Sequence, residues 1–583
     1  NEILANMANF YKDNPDIKLN LDRIDLHRLA DLIEGDYSAA GDSDIAPENS
    51  TDAVENYLSI CDIAGELAGG PIAERSAKID DEGNVCQDGD VFYHELVKQN
   101  LKDFQKAQLM GISIPREYGG LNMPQIVKVA VLEIISRADA SLMNLVGLQD
   151  IGETIAEFGS DEQKDTYIPP LASGEATGAM ILTEPDSGSD LQSVRLQATF
   201  SGDDDSAVWH LNGVKRFITN GNGDILLVMA RSEEGTKDGR GLSLFVCKKQ
   251  ASIQIRRIEN KLGIHGSPTC EMTFSDAQAY LIGKRKFGLI KYVMSLMNGA
   301  RIGIAAQSLG IAEASYRLAR EYAETRVQFG KAIIKIPAVY EMLSEMRLNV
   351  EAGRLLLYET AKIVDHQKAL TRQLELKRKN DQNIDVEEKQ NLKYFDRLAA
   401  VLTPFSKYFN AEMCNHAAYD GIQVMGGSGY MKDYPMERYY RDARITNIYE
   451  GTSQLQVVAA IGGVLAGVID KEFDKFKELQ FSETLMPLTA DVMTMISSFT
   501  TAVQSAKEKK DHEYTDFVAE RIVKMALDIF ISTLFLDAAK TDERKAKLAQ
   551  VWIGKAALNV NNYSAFIVSG ERNIIDDHAE IIA

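Results

Sequence analysis

The sequence predicts an α+β protein that is mostly helical. Apolar residues recur at helical spacing over residues 1–176, short β-rich runs separated by Gly, Asp and Asn fill residues 177–290, and helical spacing returns afterwards. This order predicts an N-terminal all-α domain over 1–176 and a middle antiparallel β domain over 177–290. A C-terminal four-helix bundle over 291–468 and an extra C-terminal helical domain over 469–583 follow.

The N-terminal region carries recognisable helix boundaries. "LDRIDLHRLADLIEG" has Leu and Ile at helical spacing and ends in glycine. The polar stretch "GDSDIAPENST" predicts a loop that restarts a helix near Thr51. "DIGETIAEFGSDEQKDTYIPPLASG" predicts two helices with a Ser-Asp cap between them.

The middle region is built from short runs that favour strands. Gly, Asp and Asn residues between the runs indicate tight turns, which join antiparallel strands. The runs are "TGAMILTEP", "AVWHLNG", "KRFIT", "ILLVMAR", "LSLFVCKK" and "EMTFSDAQA".

Two later segments leave alternatives open. Residues 365–395 are strongly polar and predict either an exposed helical excursion or a loop. Residues 515–540 are amphipathic and predict a buried packing helix or an interfacial one. The lack of a basic polar face favours packing.

Composition excludes several classes of function. The chain has 583 residues and a formal charge of -21, which argues against binding a phosphate backbone. The five cysteines form no CxxC pair, so neither a zinc site nor a disulfide framework is indicated, and a reducing compartment is expected. No apolar run approaches the ~20 residues of a membrane-spanning helix. The first residues carry charges and do not resemble a signal peptide.

Common catalytic and nucleotide motifs are missing from the sequence. It has no P-loop signature, no HExxH and no GxSxG, and "GGSGYM" is not a GxGxxG that follows a strand. The eight histidines are scattered, so no metal site is predicted.

Three other segments could carry chemistry. "MILTEPDSGSD" runs from a strand into a loop with backbone N–H groups and hydroxyls that suit a pyrophosphate, or it is simply a polar turn. "KRFITNGNGD" could place an aromatic ring on a planar cofactor, or it is a strand that ends in an "NG" turn. "ETRVQFGK" contains an arginine that could hold a phosphate or lie on a helix surface.

Glu450 in "ITNIYEGTSQLQ" is the only charged residue between Arg444 and Asp470. A carboxylate in apolar surroundings costs free energy unless it is paired or used. It could satisfy the dipole of the helix predicted to start at Thr452–Ser453, or it could be a base whose pKa is raised by burial.

Taken together, in this order and at this spacing, these segments resemble the acyl-CoA dehydrogenase family of flavoproteins. The resemblance covers roughly residues 100–465. It is also carried by "NKLGIHGSPTCEMTF", "NGARIGIAAQSLGIA" and "QVMGGSGYMKDYPMERYYRDARITNIYEGTS". The extended N-terminus, the polar insertion and the C-terminal extension make the chain look like the large bacterial members, which include enzymes acting on 3-methylmercaptopropionyl-CoA.

The resemblance implies FAD as the cofactor. Leu182 and Thr183 would meet the isoalloxazine edge, Ser189 would bind near the pyrophosphate, and Phe217 and Thr219 would pack on the flavin and hydrogen-bond to it. Many members carry Trp at the position of Phe217 and Tyr or Phe at the position of Met180. Contacts to FAD, several of them to the FAD of a neighbouring subunit, are also implied for Arg326, Gln328, Phe329, Gln423, Gly426, Gly427, Thr452 and Gln454. Such sharing implies at least a homodimer.

The resemblance assigns the catalytic base to Glu450. This residue would remove the α-proton of an acyl-CoA thioester while the β-hydrogen leaves as hydride to flavin N5. The thioester oxygen would be held by the Glu450 N–H and a flavin ribityl hydroxyl. Some relatives place the base one residue before the equivalent of Arg301, but that residue is Ala300 here. The residues expected on the substrate side are Gly451, Arg301, Ser189 and Gln149.

Several further expectations complete this interpretation. Asn144 and Gln149 are polar in the stretch that usually lines the acyl pocket, which suggests a short or functionalised acyl chain. Arg441 and Asp442 are expected to form a buried ion pair. Electron-transferring flavoprotein is the expected acceptor in fatty acid β-oxidation, in a soluble enzyme of the bacterial cytoplasm. A dimer is favoured, with the extra domain replacing the contacts that smaller members make in tetramers.

Three alternatives to this interpretation stay open. The chain could be an acyl-CoA oxidase that uses O2. It could be a nucleic-acid-binding member, like the family's alkylation-response protein, although the acidic charge disfavours this. It could also be a non-catalytic scaffold, although the glutamate is present.

Overall fold

The computed structural model of this protein describes residues 8–41, 45–200 and 208–583. The predictions for residues 1–7, for positions 42–44 of the polar loop and for Ala207 of "AVWHLNG" lie outside these residues. The predicted order of helices, sheet, bundle and further helices is confirmed. No single helix in the described ranges is long and apolar enough to cross a membrane, and one bent pair, Ser453–Leu465 with Asp470–Glu478, meets the criterion only when joined.

The N-terminal region is helical, with one small hairpin. Asn49 caps the helix predicted to restart near Thr51, and Ser160 forms a full capping box with Gln163 where the Ser-Asp cap was predicted. The helices are α1 (Pro15–Asp22), α2 (Leu26–Glu34), α3 (Ser50–Leu67), α4 (Ala73–Glu82), α5 (Glu95–Lys106), α6 (Gln125–Ala138), α7 (Ala140–Gly147), α8 (Ile151–Phe158) and α9 (Asp161–Ser173).

A hairpin interrupts the predicted all-α region. Strands β1 (Val85–Gln87) and β2 (Asp90–Phe92) are joined by Asp88 and Gly89, which have φ values of 52° and 80°. An Asp-Gly pair with positive φ at both positions is the preferred two-residue hairpin turn. The Ile255 N–H donates to the Gly89 carbonyl at 2.9 Å, so the hairpin docks onto the middle domain.

The middle domain is a seven-stranded sheet in which most neighbours are antiparallel, as predicted. Two pairings differ from that prediction, because β3 and β4 both run parallel to β6. β6 pairs with both β4 and β7, so the sheet curls back on itself around an apolar interior. The strands are β3 (Gly178–Ile181), β4 (Gln197–Phe200), β5 (Trp209–Thr219), β6 (Ile225–Arg231), β7 (Leu242–Lys248), β8 (Ile253–Ile258) and β9 (Thr269–Ile282).

Long helices form the bundle that carries the Glu450 loop. The polar segment 365–395 is mostly helical: α11 continues to Lys379, and α12 starts at Val386 after a short connection with an Asp385 capping box. The elements are α10 (Met294–Thr325), β10 (Val327–Gln328), β11 (Lys331–Ala332), α11 (Pro337–Lys379), α12 (Val386–Met425), α13 (Gly427–Tyr430), α14 (Met436–Ala443) and α15 (Ser453–Leu465).

The C-terminal helices pack against the bundle. Residues 515–540 lie within a largely buried helix, α18, so the packing alternative is the right one. Leu355 and Phe405 of the bundle share one apolar cluster with Val523 and Phe535 of that helix. The elements are α16 (Asp470–Glu478), α17 (Met486–Glu508), α18 (His512–Ala539), α19 (Glu543–Ser569) and α20 (Asn573–Ile582).

A distant carboxylate caps helix α6. Pro124 precedes this helix and supplies no side-chain cap. Asp365 of α11 takes over, because it accepts hydrogen bonds from the Gln125 N–H at 2.6 Å and the Ile126 N–H at 3.0 Å. Burial raises the pKa of Asp365 to about 7, against the effect of these two bonds. The bundle thereby fixes the start of α6, the helix that leads into α7 and α8.

A buried ionic network ties the N-terminal helices, the bundle and the C-terminal domain together. Arg354 is fully buried and pairs with Asp16 at 2.5 Å, Glu133 at 2.5 Å and Glu313 at 2.8 Å. Lys545 of α19 also contacts Asp16 at 2.6 Å. Buried charges of this kind are tolerated only when each has a partner, so these regions depend on one another.

Candidate active site

The loop that carries Glu450 has an unusual backbone. Glu450 and Gly451 have φ values of 54° and 88°. A positive φ is uncommon for a residue with a side chain, and such strain persists only where the surroundings enforce it. The Ser453 N–H closes the loop by donating to the Asn447 carbonyl at 3.1 Å. Thr452 then caps α15 by accepting from the Leu455 N–H at 3.3 Å, so the helix starts where the sequence predicted.

Gly451 is required at its position. A Cβ atom there would lie 2.8 Å from the Gln456 Nε2, in a backbone conformation that side chains rarely adopt. Its carbonyl accepts two hydrogen bonds, from Lys407 Nζ at 2.7 Å and from Gln456 Nε2 at 2.9 Å. Both donors hold the peptide between Gly451 and Thr452, one residue after Glu450.

Burial and two nearby cations determine the pKa of Glu450. Burial raises the pKa of its carboxyl, and the charges of Lys407 and Arg301 oppose that rise. Burial also lowers the pKa of Lys407 to about 7, although Glu450 draws it upward. A carboxyl with a raised pKa is better matched to proton transfer near neutral pH than an ordinary glutamate.

Lys407 was missed by the sequence analysis. It is fully buried on α12. The only signal is a lysine inside "AAVLTPFSKYFNAEM", where the neighbouring positions are mostly apolar or small.

Tyr449 anchors the other side of the loop. Its hydroxyl donates to the Gln307 Oε1 and to the Asn144 Oδ1, the latter at 3.2 Å. The Asn144 amide donates in turn to the Ser267 hydroxyl at 3.1 Å. The Asn220 N–H donates to the Pro268 carbonyl at 2.7 Å. The Glu450 loop is therefore linked through one loop of the middle domain to the end of strand β5.

The two polar residues expected in the acyl pocket are occupied elsewhere. Asn144 belongs to the Tyr449 network, where its oxygen also accepts from Gln307 at 3.0 Å. Gln149 donates to the Leu171 and Ala176 carbonyls at 2.8 and 3.0 Å and accepts from the Gly178 N–H at 2.9 Å. These side chains position helices and a strand, so they give no reason to expect a short or functionalised acyl chain.

Arg441 and Asp442 do not pair with each other as expected. Arg441 pairs with Asp80 at 2.6 Å and with Glu437 at 2.7 Å. Asp442 instead accepts from the Ile264 N–H at 2.5 Å, and burial raises its pKa to about 7. Successive helical residues point in different directions, which explains why each finds its own partner.

Phe217 is displayed by a bulge in β5. Its φ is 60°, and the register with β9 shifts between Lys215 and Ile218. A bulge redirects a side chain away from the regular alternation of a strand. The ring is about half exposed and lies 4.5 Å from the Arg216 guanidinium carbon, while Thr219 is partly buried two residues on. This platform suits a planar aromatic group.

A buried ion pair shapes the loop beside that platform. Lys215 Nζ contacts Glu184 at 2.9 Å and donates to the Leu182 carbonyl at 2.7 Å. Glu184 accepts from the backbone N–H groups of Arg195 and Leu196 at 2.7 and 2.9 Å. Together these bonds hold the Leu182–Thr183 segment in place. Ser189 lies exposed on the same loop.

The residues expected to reach a neighbouring subunit share one end of the bundle. Arg326 and Gln328 are exposed, and Phe329 is 92% exposed at the tip of the β10–β11 hairpin, with a φ of 52°. The Tyr322 hydroxyl lies 3.1 Å from the Ser428 hydroxyl, which links this end of α10 to the turn after α12. Also exposed on or beside that turn are Gln423, Gly426 and Gly427. Nothing lies within 4 Å of a Cβ at either glycine, so this turn is open to an approaching ligand or chain.

Arg301 lies between the Glu450 loop and Asn298, which lines a cavity. Arg301 is buried, its Nη1 donates to the Asn298 Oδ1 at 3.1 Å, and its Nη2 lies 3.8 Å from a Cβ built on Gly451. Asn298 lines a cavity of about 960 Å³ together with Gly299 and Ile302. Cavities of this size are typical of small-molecule sites. Gln454 is exposed at the start of α15, while Thr452 beside it is partly buried.

Four family models match the chain in succession. They are the acyl-CoA dehydrogenase N-terminal domain over residues 64–175, the middle domain over 179–277, the C-terminal domain over 302–454, and a further acyl-CoA dehydrogenase C-terminal model over 466–573.

Relatives cover most of the chain. An acyl-CoA dehydrogenase of Bacillus subtilis is 38% identical over 61% of this chain and 87% of that protein. A 3-methylmercaptopropionyl-CoA dehydrogenase of Ruegeria pomeroyi is 33% identical over 72% of this chain and 71% of its own length.

Solved structures share the fold. Butyryl-CoA dehydrogenase from Megasphaera elsdenii has a TM-score of 0.58 at 27% identity, covering 73% of this chain and 98% of that one. A chain from a study of the electron transferring flavoprotein of Acidaminococcus fermentans has a TM-score of 0.58 at 31% identity, covering 69% and 96%. An acyl-CoA dehydrogenase complexed with FAD from Bacillus anthracis has a TM-score of 0.74 at 23% identity and covers 88% of each chain.

Proposed function

This chain belongs to the acyl-CoA dehydrogenase family, and we propose that it oxidises the Cα–Cβ bond of an acyl-CoA thioester to the trans-2-enoyl-CoA. It is a flavin-dependent oxidoreductase acting on acyl-CoA, and its cofactor is FAD. The observation that carries the proposed reaction is the strained Glu450–Gly451 turn. It presents a carboxyl of raised pKa beside Arg301 and Lys407.

Glu450 acts as the general base in this proposal. Its carboxylate takes the α-proton of the thioester and holds it on a carboxyl oxygen. The raised pKa supports this role because a base near neutrality accepts a proton from a weak acid more readily than an ordinary glutamate does. The Glu450 N–H donates to the thioester oxygen, where negative charge develops as the proton leaves.

The loop's anchors keep that carboxylate and N–H in position. Lys407 and Gln456 hold the Gly451 carbonyl, and the Tyr449 hydroxyl fixes the other side through Gln307 and Asn144. We assign the thioester of the acyl-CoA to the Glu450–Gly451 turn, beside Arg301, whose guanidinium group is held by Asn298.

The residues of the middle domain fit a bound flavin. When bound, FAD supplies the oxidant that takes the β-hydrogen with its electron pair. Phe217 would pack on the ring system, Thr219 and the Leu182–Thr183 segment would hydrogen-bond to its edge, and Ser189 would bind near the pyrophosphate. The fit is supported by the exposed ring on the β5 bulge and by the Lys215–Glu184 pair that holds the adjacent loop.

A second subunit completes the cofactor site in this proposal. The partner's FAD would be held at its adenine end by residues of one protomer, namely Arg326, Gln328, Phe329, Gln423 and the Gly426–Gly427 turn. Thr452 and Gln454 reach FAD within the catalytic loop region. The support is the position of the hairpin and the open glycine turn at one end of the bundle, and the nearly complete exposure of Phe329.

The dimer is favoured over a tetramer. The C-terminal domain covers an apolar face of α11, α12 and α15 that would otherwise be free for a further subunit.

We further propose electron-transferring flavoprotein as the electron acceptor and the bacterial cytoplasm as the location. The likeness to the Acidaminococcus fermentans chain and to butyryl-CoA dehydrogenase supports the acceptor. All five cysteines are free, which suits a reducing compartment.

Steady-state assays distinguish this proposal from an oxidase. The holoenzyme is mixed with butyryl-, octanoyl-, palmitoyl- or dicarboxylic acyl-CoA, first with electron-transferring flavoprotein without O2, then in air without the carrier. We expect enoyl-CoA to form with the carrier and peroxide to form only slowly. Rapid peroxide formation in air that needs no carrier would instead identify an oxidase.

A further inference from the structure

Lys407 lies directly beneath the catalytic turn, on a helix remote from it in sequence. It is fully buried, and its only side-chain hydrogen bond among the described residues runs from Nζ to the Gly451 carbonyl at 2.7 Å. A neutral donor already serves the same carbonyl, because the Gln456 Nε2 lies 2.9 Å from it. Satisfying that oxygen therefore does not require a buried ammonium group, which is costly to desolvate.

The charge of Lys407 is what Gln456 cannot supply. Two carboxylates oppose the fall in the pKa of Lys407, and they are Glu450 and Glu412. In turn, two cations oppose the rise in the pKa of Glu450, and Lys407 has the larger effect of the two. Glu412 is already engaged, since it accepts from the Ser453 hydroxyl and from the Asn447 amide at 3.2 Å. The Lys407 ammonium group therefore donates to the Gly451 carbonyl, and its charge acts on Glu450 across the turn without a direct ion pair.

The other charged and titratable groups around the turn are few. Arg301 of α10 faces Glu450 from the cavity side, and Tyr449 precedes it in the loop. Asp442 of α14 acts on Tyr449. Tyr408 follows Lys407 on α12, and its hydroxyl donates to Glu520 of α18 at 2.6 Å. The Glu520 carboxylate is therefore engaged away from the turn.

We propose that Lys407 is a positioning and charge-setting residue whose buried ammonium group keeps Glu450 ionised and holds the Gly451 peptide in its strained conformation. This inference rests on the proposed role of Glu450 as the base. It adds that Lys407, on α12 beneath the loop, determines the lowest pH at which Glu450 is ionised and the enzyme is active. No proton passes from Lys407 to the substrate, and the α-proton ends on Glu450.

Charge and hydrogen bonding can be separated with matched variants. Lys407→Met removes both the charge and the donor, Lys407→Gln removes the charge and keeps an amide donor, and Gln456→Leu removes a donor to the same carbonyl without a change in charge. The acid limb of the pH profile of kcat/KM reports the ionisation of the free enzyme's base. We expect both Lys407 variants to move that limb upward by about one pH unit or more, because an opposite charge nearby lowers a carboxyl pKa by roughly that amount.

Gln456→Leu should lower kcat at every pH and leave the limb in place. If both Lys407 variants lower kcat equally at all pH values without moving the limb, Lys407 is only a structural donor and the inference is wrong. Circular dichroism of each holoenzyme confirms that the variants are folded, and Lys407→Gln is the milder change if Lys407→Met is unstable.

An infrared titration separates this inference from the proposed reaction. The carboxylic C=O band that disappears in Glu450→Gln is followed against pH in the wild-type protein and in the Lys407 variants. We expect its midpoint to rise when Lys407 is neutralised. This readout does not depend on turnover, so an unchanged midpoint overturns the role of Lys407, whereas full turnover by Glu450→Gln overturns the proposed base instead.

Discussion

Replacing Arg354 by methionine tests whether the buried ionic network holds the N-terminal helices, the bundle and the C-terminal domain together. Methionine fills much of the same space and removes the charge. Asp16 keeps Lys545 at 2.6 Å, and Glu313 keeps Arg317 at 2.6 Å. Glu133 keeps only the hydroxyl of Tyr358, at 3.2 Å. The variant therefore buries one carboxylate without a cation.

The size of the effect follows from that geometry. Breaking one side of a buried ion pair costs about 3–5 kcal/mol of the free energy of unfolding. With an unfolding entropy of ~2.1 cal/mol/K per residue, a cooperative chain of 583 residues loses about 2–4 °C in Tm.

The loss should depend on pH. Burial already raises the pKa of Glu133, and the largest opposing effect comes from Arg354. In the variant the folded-state pKa rises further above the unfolded value. The folded state then holds a proton that the unfolded state has released, so stability falls as pH rises above the unfolded pKa. Between the unfolded-state and folded-state pKa values, each unit of rise in pH lowers the free energy of unfolding by about 1.4 kcal/mol.

Differential scanning calorimetry of the holoenzyme at pH 5 and pH 8 measures both effects. We expect a small loss in Tm at pH 5 and a larger one at pH 8. Adding Glu133→Gln to Arg354→Met should recover most of the loss at pH 8, because it removes the unpaired charge. An equal Tm for the variant and the wild-type protein at both pH values, or a loss that is the same at both, would refute this reasoning.

Two further predictions concern the cap of α6 and the flavin platform. Asp365→Ala removes the acceptor for two N–H groups and should lower the free energy of unfolding by about 1–2 kcal/mol. Asp365→Asn keeps an acceptor and should lower it less. Urea unfolding midpoints compare the two variants, and equal losses of stability would contradict a capping role. Phe217→Leu should raise the Kd for FAD about threefold to tenfold, because it loses roughly 0.5–1.5 kcal/mol of aromatic contact. Phe217→Trp keeps an aromatic ring and should not raise the Kd. Fluorescence titration of the deflavinated protein measures both values, and an unchanged Kd for Phe217→Leu would show that Phe217 does not contact the flavin.

The sequence predicted the features that depend on local chemistry. Gly35 ends α2, Ser160 caps α9 and Thr452 caps α15, and each acts through neighbours a few residues away. Glu450 stood out because no other charge lies near it in the chain.

The features that escaped depend on partners far away in the sequence. Lys407 meets Gly451 only through the packing of α12 against the catalytic loop. Asn144 and Gln149 are polar, but polarity does not reveal that their hydrogen bonds go to Tyr449 and to backbone carbonyls. The β1–β2 hairpin was overlooked because each strand has only three residues, although Asp88 and Gly89 give the turn signal.

The central claim is that Glu450 removes the α-proton of a bound acyl-CoA. The most direct measurement is the rate at which an acyl-CoA bleaches the flavin absorbance without O2, in stopped flow at pH 8, for the wild-type holoenzyme and for Glu450→Gln. Glutamine keeps the size and the N–H but cannot accept the proton, so we predict a rate at least about a thousandfold lower, within the range of general base catalysis. Bleaching by Glu450→Gln within tenfold of the wild-type rate would contradict this account.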